Sequence, residues 1–303
     1  MNEVAVIGFA QSATTALVPV FEQALDGAGL GRREIDFWCS GSSDYLAGRA
    51  FSFVSAVDAI GAVPPISESH VEMDAAWALY EAWVKILAGE ARTALVYGFG
   101  KGTAGDLNRV LALQTDPYTV APLWPDAIGL AGLQARLALE AGLFTERDVA
   151  EVAPHPMAPV ADGASAVVLA VRDRAARSRA RPAWITGIAH RIDPQGFGER
   201  DLTAVPSATA AAGDAGVPAD VEVAALHAPF THQELLLRRA LKLPDGVRYL
   251  PNTENAMFSG GLSRIGAAAS EIMSGRAGTA VAHATSGPLL QQNLVCALTG
   301  ATP

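Results

Sequence analysis

The chain has 303 residues, half of them hydrophobic and 17% charged, a composition that suits a compact, well-buried globule and argues against disorder. Its 31 Asp+Glu against 22 Lys+Arg give a net charge of −9 and a pI near 5.1, which argues against a nucleic-acid partner. Mean hydropathy is +0.24, yet no apolar run approaches the ~20 residues that span a bilayer, and the first residues, MNEVAVIGFA, carry an acid where a signal peptide needs bases; the expected location is the cytoplasm.

In chain order, residues 4–9 read as a strand, 17–28 as a helix stopped by Gly29, and 35–39 as a second strand running into the loop SGSSDYLAGR. A short helix is expected over 50–60, with a Gly/Pro break after it. Residues 67–89 then form one helix that is apolar nearly all round, which places it inside a large domain. Ser69 stands at its expected N-cap with Glu72 three residues on, as in a capping box, Gly89 supplies the stop, and Asp74, Glu81 and Lys85 make a narrow polar stripe. Residues 93–98 are a strand feeding the turn GFGKGTAG, which lacks the GxxxxGK[ST] spacing of a phosphate-cradling loop. Three prolines make 107–124 loop-like, 130–141 is helical, and the turn Asp162-Gly163 introduces a strand over 164–171.

After a basic linker, 172–181, the succession repeats. Strands are expected at 184–188, 221–226, 279–283 and 294–298, with helices at 202–212, 231–241 and 260–275. The last helix is the counterpart of 67–89, and its small residues suit close approach to another helix. The chain thus divides into halves, 1–172 and 183–303. The expected fold class is α/β: a parallel-rich sheet per half, arranged as five αβαβα layers with two central helices back to back.

Cys39 and Cys296 lie in strand-like stretches, DFWCS and LVCAL, and read as buried free thiols rather than a disulfide framework. No CxxC or HExxH spacing is present, so no metal site is expected.

The stretch His227-Ala-Pro-Phe-Thr-His-Gln-Glu-Leu235 resembles the H-D-C-F-x-x-x-E-L signature of sterol-carrier-protein-type thiolases, and the stretches from Asn255 to Gly266 and from His283 to Asn293 resemble the glycine-rich motifs near the end of those chains. FWCSGSSDYLAGRAFSF, SHVEMDAAWALYEA, LQTDPYTVAPLWPD and HATSGPLLQQNLVC are similar to lipid-transfer-type thiolase-like proteins of actinobacterial steroid degradation. The resemblance implies a thiolase fold and an aldolase subunit that cleaves a steroid-type or branched β-hydroxyacyl-CoA by retro-aldol chemistry. It needs no cofactor beyond the CoA of its substrate. Implied partners are a second thiolase-like chain, a small OB-fold zinc-ribbon (DUF35-type) subunit, or both, in a homo- or heterodimeric assembly.

Departures from the family pattern shape the site expectations. Reading CATGSTAL against EMDAAWAL puts Glu72 where a thiolase has its nucleophilic Cys, and a carboxylate forms no acyl-thioester, so thiolytic transfer by the usual route is not expected. The G-H-P histidine is missing from LPNTENAMF, the second Cys falls at Ala284 beside His283, and the segment 144–162 is short for a CoA-covering loop. The candidate catalytic residues are therefore His227 as polariser of the thioester oxygen, Glu72 as base, and His283, with His232 and Asp74 as secondary candidates. Each has a structural alternative: a cap for Glu72, a backbone or Arg partner for Asp74, strand-end hydrogen bonds for His227 and His283, the surface for His232. His70 and Asp44-Tyr45 are expected near a subunit interface by the same resemblance. A non-catalytic scaffold subunit, or an acyltransferase of specialised metabolism, are the alternatives to the aldolase.

Overall fold

The computed structural model of the chain describes all residues except 1, 2, 45–50, 62–66, 154, 254 and 303. Part of the loop at 40–49, Tyr45, and most of the break after residue 60 therefore lie outside the described residues.

Eleven strands form one mixed sheet: β1 (Val4–Ser12), β2 (Phe37–Gly41), β3 (Glu68–Val71), β4 (Thr93–Lys101), β5 (Val160–Val171), β6 (Ala183–Ile192), β7 (Val223–Leu226), β8 (Arg248–Tyr249), β9 (Asn255–Ala256), β10 (Thr279–Ser286) and β11 (Gln292–Thr299). Along the sheet the order is β3-β2-β4-β5-β1 and then β6-β11-β10-β7-β8, with β9 attached to β5. Reading the second set from its far edge gives the same pattern as the first: third strand, second, fourth, fifth, first. The pairing directions also repeat, with two parallel pairs followed by two antiparallel pairs in each set. The sheets are thus mixed rather than parallel-rich, because each long return strand, β5 and β11, runs back between its neighbours. Among the described residues, Ala5 opposite Trp184 and Val6 opposite Ala183 join the two sets.

The helices of seven or more residues are α1 (Leu17–Ala28), α2 (Ala75–Leu87), α3 (Leu107–Leu113), α4 (Ala127–Glu140), α5 (Glu146–Val152), α6 (Pro206–Asp214), α7 (Thr231–Leu241) and α8 (Gly260–Met273), and single helical turns lie at Val57–Ile60 and Arg172–Ala175. On α1 the buried residues Leu17, Val20, Phe21, Ala24, Leu25 and Ala28 fall at three- and four-residue spacing, so one face meets the sheet. The repeat reaches single residues. In β1 the ladder skips Ile7 and resumes at Gly8, and in β6 it skips Thr186 and resumes at Gly187. A Cβ on Gly8 would stand 2.3 Å from Ala24 O, and one on Gly187 would stand 2.2 Å from Ala215 O. Each first strand therefore carries a bulge and a glycine that admit the backbone at the end of the helix that follows it.

Three apolar clusters show the layers. One lies under α1, one under α6 and α7, and the largest holds α2, α8 and the inner faces of both sheet halves. The five-layer αβαβα arrangement with two touching central helices stands as expected. No described helix is long and apolar enough to cross a membrane.

Several boundaries differ from the sequence reading. Residues 68–71 are β3, paired with β2, so Ser69 caps nothing and the central helix starts at Ala75 with Asp74 as N-cap. The capping-box spacing of Ser69 and Glu72 sets the expected helix start too early, and β3 has no alternation to mark it as a strand. That helix is buried over its first turns, whereas Val84, in its last turns, is 42% exposed. Asp162 and Gly163 lie within β5, paired with Lys101 and Gly100, so the Gly-rich turn begins only after Lys101. α3 occupies part of the segment read as loop, since Asp106 caps it ahead of all three prolines.

Gly41 ends β2 against the start of α2, where a Cβ would stand 2.4 Å from Ala75 Cα and 2.5 Å from its N. Backbone cannot yield there as a side chain would. Gly41→Ala is expected to lower unfolding free energy by about 1–3 kcal/mol, measured by urea denaturation; an unchanged midpoint would contradict this close approach.

Candidate functional site

Parallel strands release their chains at one end of the sheet, and ligands of α/β proteins bind beyond that end. Here the cleft lies there. The segment after β3 (Glu72, Met73, Asp74), the turn after β4 (Gly102, Thr103), His227 after β7, and Thr285 and Ser286 at the end of β10 all line a cavity of about 800 Å³. Residues of α3 and α4 and the segment 255–258 complete its wall.

Asp74 is the centre of this site. Its Oδ1 accepts from Ala76 N at 2.9 Å, which caps α2. Its Oδ2 accepts from Gly261 N at 2.9 Å and its Oδ1 from Leu262 N at 3.1 Å, the second and third residues of α8. The N-cap of α8, Ser259, makes no side-chain cap of its own. One carboxylate therefore caps both central helices, and both macrodipoles favour its charge. Burial pushes its pKa up to about 6, against the pull of those three N–H donors. Counting lone pairs, Oδ1 is filled by two donors and Oδ2 by one, leaving Oδ2 one site for a ligand proton.

His227 rests on the neighbouring residue of the same helix end. A Cβ on Gly260 would stand 2.8 Å from His227 Nε2, and one on Gly261 would stand 2.5 Å from Asp74 Oδ1. The consecutive glycines thus seat the two side chains. His227 Nε2 faces Asn255 Oδ1 at a long 3.5 Å, and Nδ1 has no hydrogen-bond partner. Burial first, then the Arg264 charge, lowers its pKa to about 4. It is neutral at pH 7, and the Asn255 oxygen favours a proton on Nε2.

The other candidates lie apart. Glu72 lines the cleft but is exposed; it accepts from Asp44 N at 2.8 Å and meets His70 Nε2 at 3.1 Å. His70 Nδ1 in turn meets Ser40 Oγ at 2.7 Å. Asp44, His70 and Glu72 bring one ligand atom each within 4.8 Å of one another, a group with metal-ligand chemistry among the described residues; the Asp44 oxygens already hold Phe51 N and Ser52 N.

His283 and His232 are not among the described lining residues. Asn293 Nδ2 donates to Ser207 Oγ at 2.6 Å and Leu290 O at 2.7 Å, so its Oδ1 accepts from His283 Nε2 at 2.8 Å. That places His283 on the α6 side of the sheet, while His227 faces α8. His232 Nε2 meets Gln134 Oε1 at 3.2 Å in a buried cluster with Gln233.

Neither thiol serves the cleft. Cys39 packs in the central core, where burial and Glu81 push its pKa well above the thiol range, and burial pushes Cys296 up to about 12. Asn255, Gln233 and the Gly260-Gly261 seat were not singled out from the sequence as site residues. An Asp directly before an apolar helical run is a usable N-cap signal for Asp74, whereas its bond to a helix 187 residues away is not local information.

Two predictions follow from these contacts. Asp74→Ala removes two caps and leaves buried N–H groups unpaired, and is expected to cost about 2–4 kcal/mol in chemical denaturation, with Asp74→Asn costing less. The buried histidines His227, His232 and His283 all have pKa values lowered from 6.5 to about 4. Their unfolded forms bind protons first, so stability is full above pH 6.5 and falls as pH drops towards 4, by of order 3 kcal/mol per histidine. Asp74 has the opposite sign between about 6 and 3.8 and offsets about one of them. Urea midpoints should therefore decrease between pH 7 and pH 5; a flat profile would refute the buried neutral state.

No family model and no curated protein sequence matches the chain. Among solved structures it is similar to human mitochondrial 3-ketoacyl-CoA thiolase, at 15% identity and a TM-score of 0.69 over 99% of each chain. It is also similar to human mitochondrial 3-ketoacyl-CoA thiolase in complex with CoA, at 17% identity and 0.69 over 99% of this chain and 98% of that one. Bacillus anthracis acetyl-CoA acetyltransferase matches at 14% and 0.71 over 99% of each. At such identities the likeness is one of architecture: the chain has the thiolase fold.

Proposed function

We propose that the chain is a thiolase-fold aldolase subunit that cleaves a β-hydroxyacyl-CoA with a steroid-type or branched acyl part by retro-aldol chemistry. The observation that carries this reading is a cleft with a buried carboxylate and a neutral imidazole on one helix end, and neither of the chain's two thiols in its wall. Without a cleft thiol, acyl transfer through a protein thioester has no nucleophile. Acid–base cleavage needs none.

Asp74 is a better base than Glu72, because burial holds its pKa near working pH while one lone pair of Oδ2 stays open. In the proposed step Asp74 Oδ2 takes the β-hydroxyl proton, the O–H pair becomes the new carbonyl, and the Cα–Cβ pair moves into the thioester. His227 Nε2–H stabilises the enolate oxygen, exchanging its long contact with Asn255 for the stronger acceptor. The proton on Asp74 then passes to Cα, which restores the carboxylate. The second thiolase-like chain and the OB-fold zinc-ribbon subunit belong to the same proposal, as the implied assembly.

One observation favours a scaffold instead. Three of the four lone pairs of Asp74 are taken by backbone N–H groups, as befits a purely structural cap. Retro-aldol assays of the chain with its co-encoded neighbours decide between the two. The aldolase reading expects kcat/KM to rise with pH through an apparent pKa of about 6, a limb that Asp74→Asn abolishes. It also expects a loss of at least about 10²-fold in His227→Ala. Activity that survives both substitutions unchanged assigns the chemistry to another chain.

A further inference from the structure

Ser40 and His70 are cross-strand partners in the β2–β3 ladder, and Tyr97 stands opposite Ser40 on β4, so the three side chains share one face of the sheet. Glu72 comes two residues after His70. In the helix expected over 67–89 two such residues would face apart; in an extended chain they turn to one side, and His70 Nε2 meets Glu72 Oε2 at 3.1 Å. Asp44 joins them through its N–H, which donates to Glu72 Oε1 at 2.8 Å. Its own Oδ1 accepts from Ser52 N and its Oδ2 from Phe51 N, which leaves one lone pair on each oxygen.

These distances suit a shared ion. Two donors bound to one metal at about 2.0–2.2 Å stand about 2.9–3.4 Å apart, the separation that His70 Nε2 and Glu72 Oε2 already have. The Asp44 atom lies within 4.8 Å of both, in reach of the ion directly or through a coordinated water. A ligating imidazole is oriented by the partner of its other nitrogen. His70 Nδ1 meets Ser40 Oγ at 2.7 Å, Ser40 is 1% exposed and bonds Tyr97 in turn, and the Phe53 ring lies 5.7 Å from the imidazole. Donation from Nδ1–H to Ser40, and from Ser40 to Tyr97, leaves Nε2 a bare lone pair against a carboxylate oxygen, a contact that a cation between them resolves. The opposite order puts a proton on Nε2 and needs no ion, and a zinc titration separates the two.

We infer that His70 Nε2, Glu72 and Asp44 bind one divalent first-row metal ion of the Zn²⁺ class at the rim of the cleft, with Ser40 as the positioning residue of the imidazole. Two carboxylate charges balance one such ion. An imidazole among the donors selects it over Ca²⁺ and Mg²⁺, which take oxygen alone, and a set without sulfur selects it over Cu⁺. The site stands apart from the aldolase reading, in which Asp74 and not Glu72 carries the proton.

Zn²⁺ is titrated by calorimetry into the isolated full chain after treatment with a chelator. One ion per chain is expected, with a Kd of about 10 μM or tighter, a urea midpoint that rises with added Zn²⁺, and no competition from millimolar Mg²⁺. His70→Ala and Glu72→Gln should each weaken Zn²⁺ by at least about tenfold, and Ser40→Ala by about 10–100-fold. His155→Ala and His190→Ala, at exposed positions, should leave it unchanged. The Glu72 side chain is 47% exposed, so Glu72→Gln keeps the fold even where a change at buried Ser40 does not. Millimolar or non-stoichiometric binding, binding indifferent to Glu72→Gln, or an equal loss in either exposed-histidine control would overturn the inference. Turnover is not read: zinc binding in a chain inactive with its neighbours keeps this site and removes the aldolase, and an active chain without zinc affinity does the reverse.

Discussion

The two central helices meet through one carboxylate. A charge buried between two sheets is costly unless hydrogen bonds and dipoles compensate it. Asp74 meets that condition with three N–H donors drawn from both α2 and α8, at the ends where both macrodipoles are positive. Much of the local sequence follows from this. Residue 261 must be glycine because a Cβ would stand 2.5 Å from the carboxylate and 2.6 Å from Ala284 Cβ. Residue 98 must also be glycine because a Cβ there would stand 2.5 Å from Phe258 O, the carbonyl that accepts from Ala75 N at 2.9 Å. The start of α2, the approach to α8 and the ends of β2 and β4 are thereby fixed relative to one another.

The same arrangement is what the proposed chemistry is built on. Backbone N–H groups at a helix end are the usual means of holding an oxyanion, and here they hold the protein's own carboxylate. In the proposed reaction, stabilisation of negative charge on a ligand then falls to His227, which burial keeps neutral and whose Nε2 proton is only loosely engaged. A neutral donor beside a carboxylate of raised pKa is an acid–base pair rather than an anion trap. The absence of cations from the described wall agrees with it.

The architecture was legible in the sequence because its signals are periodic and repeated. Strand and helix alternation marks the layers, and α1 and α7 coincide with the helices expected over 17–28 and 231–241. The site was legible only in part. Asp74 and His227 are both legible as candidates, but the base role falls to Glu72 rather than Asp74, because the capping-box spacing from Ser69 and the match of EMDAAWAL to the thiolase nucleophile motif put Glu72 at the helix N-terminus. β3 ends that helix early. It is four residues long and partly exposed, and it owes its structure to pairing with β2 rather than to any pattern of its own. His283 was placed at the site by its neighbours in sequence; alternation along β10 turns its side chain to the far face, towards Asn293 and Ser207. Contacts of this kind, set by sheet parity and by helix ends far apart in the chain, leave no local trace.

The duplication explains why the two central helix ends do not build equivalent sites. The two sheet halves share strand order, pairing directions, a bulge and a glycine, so their central helices present equivalent N-termini to each other. The symmetry is broken by what each terminus carries. α2 begins with Asp74, whose side chain reaches both helices, whereas α8 begins with a serine that makes no cap, followed by two glycines that leave room for side chains from elsewhere. A second acid at the α8 terminus would set two buried carboxylates against each other and raise the pKa of one sharply. A side chain at 260 or 261 would displace His227 or Asp74. The bare end of α8 is therefore the counterpart that the charged end of α2 requires, and the cleft forms over the contact between them because that is where unlike termini of a repeated fold meet.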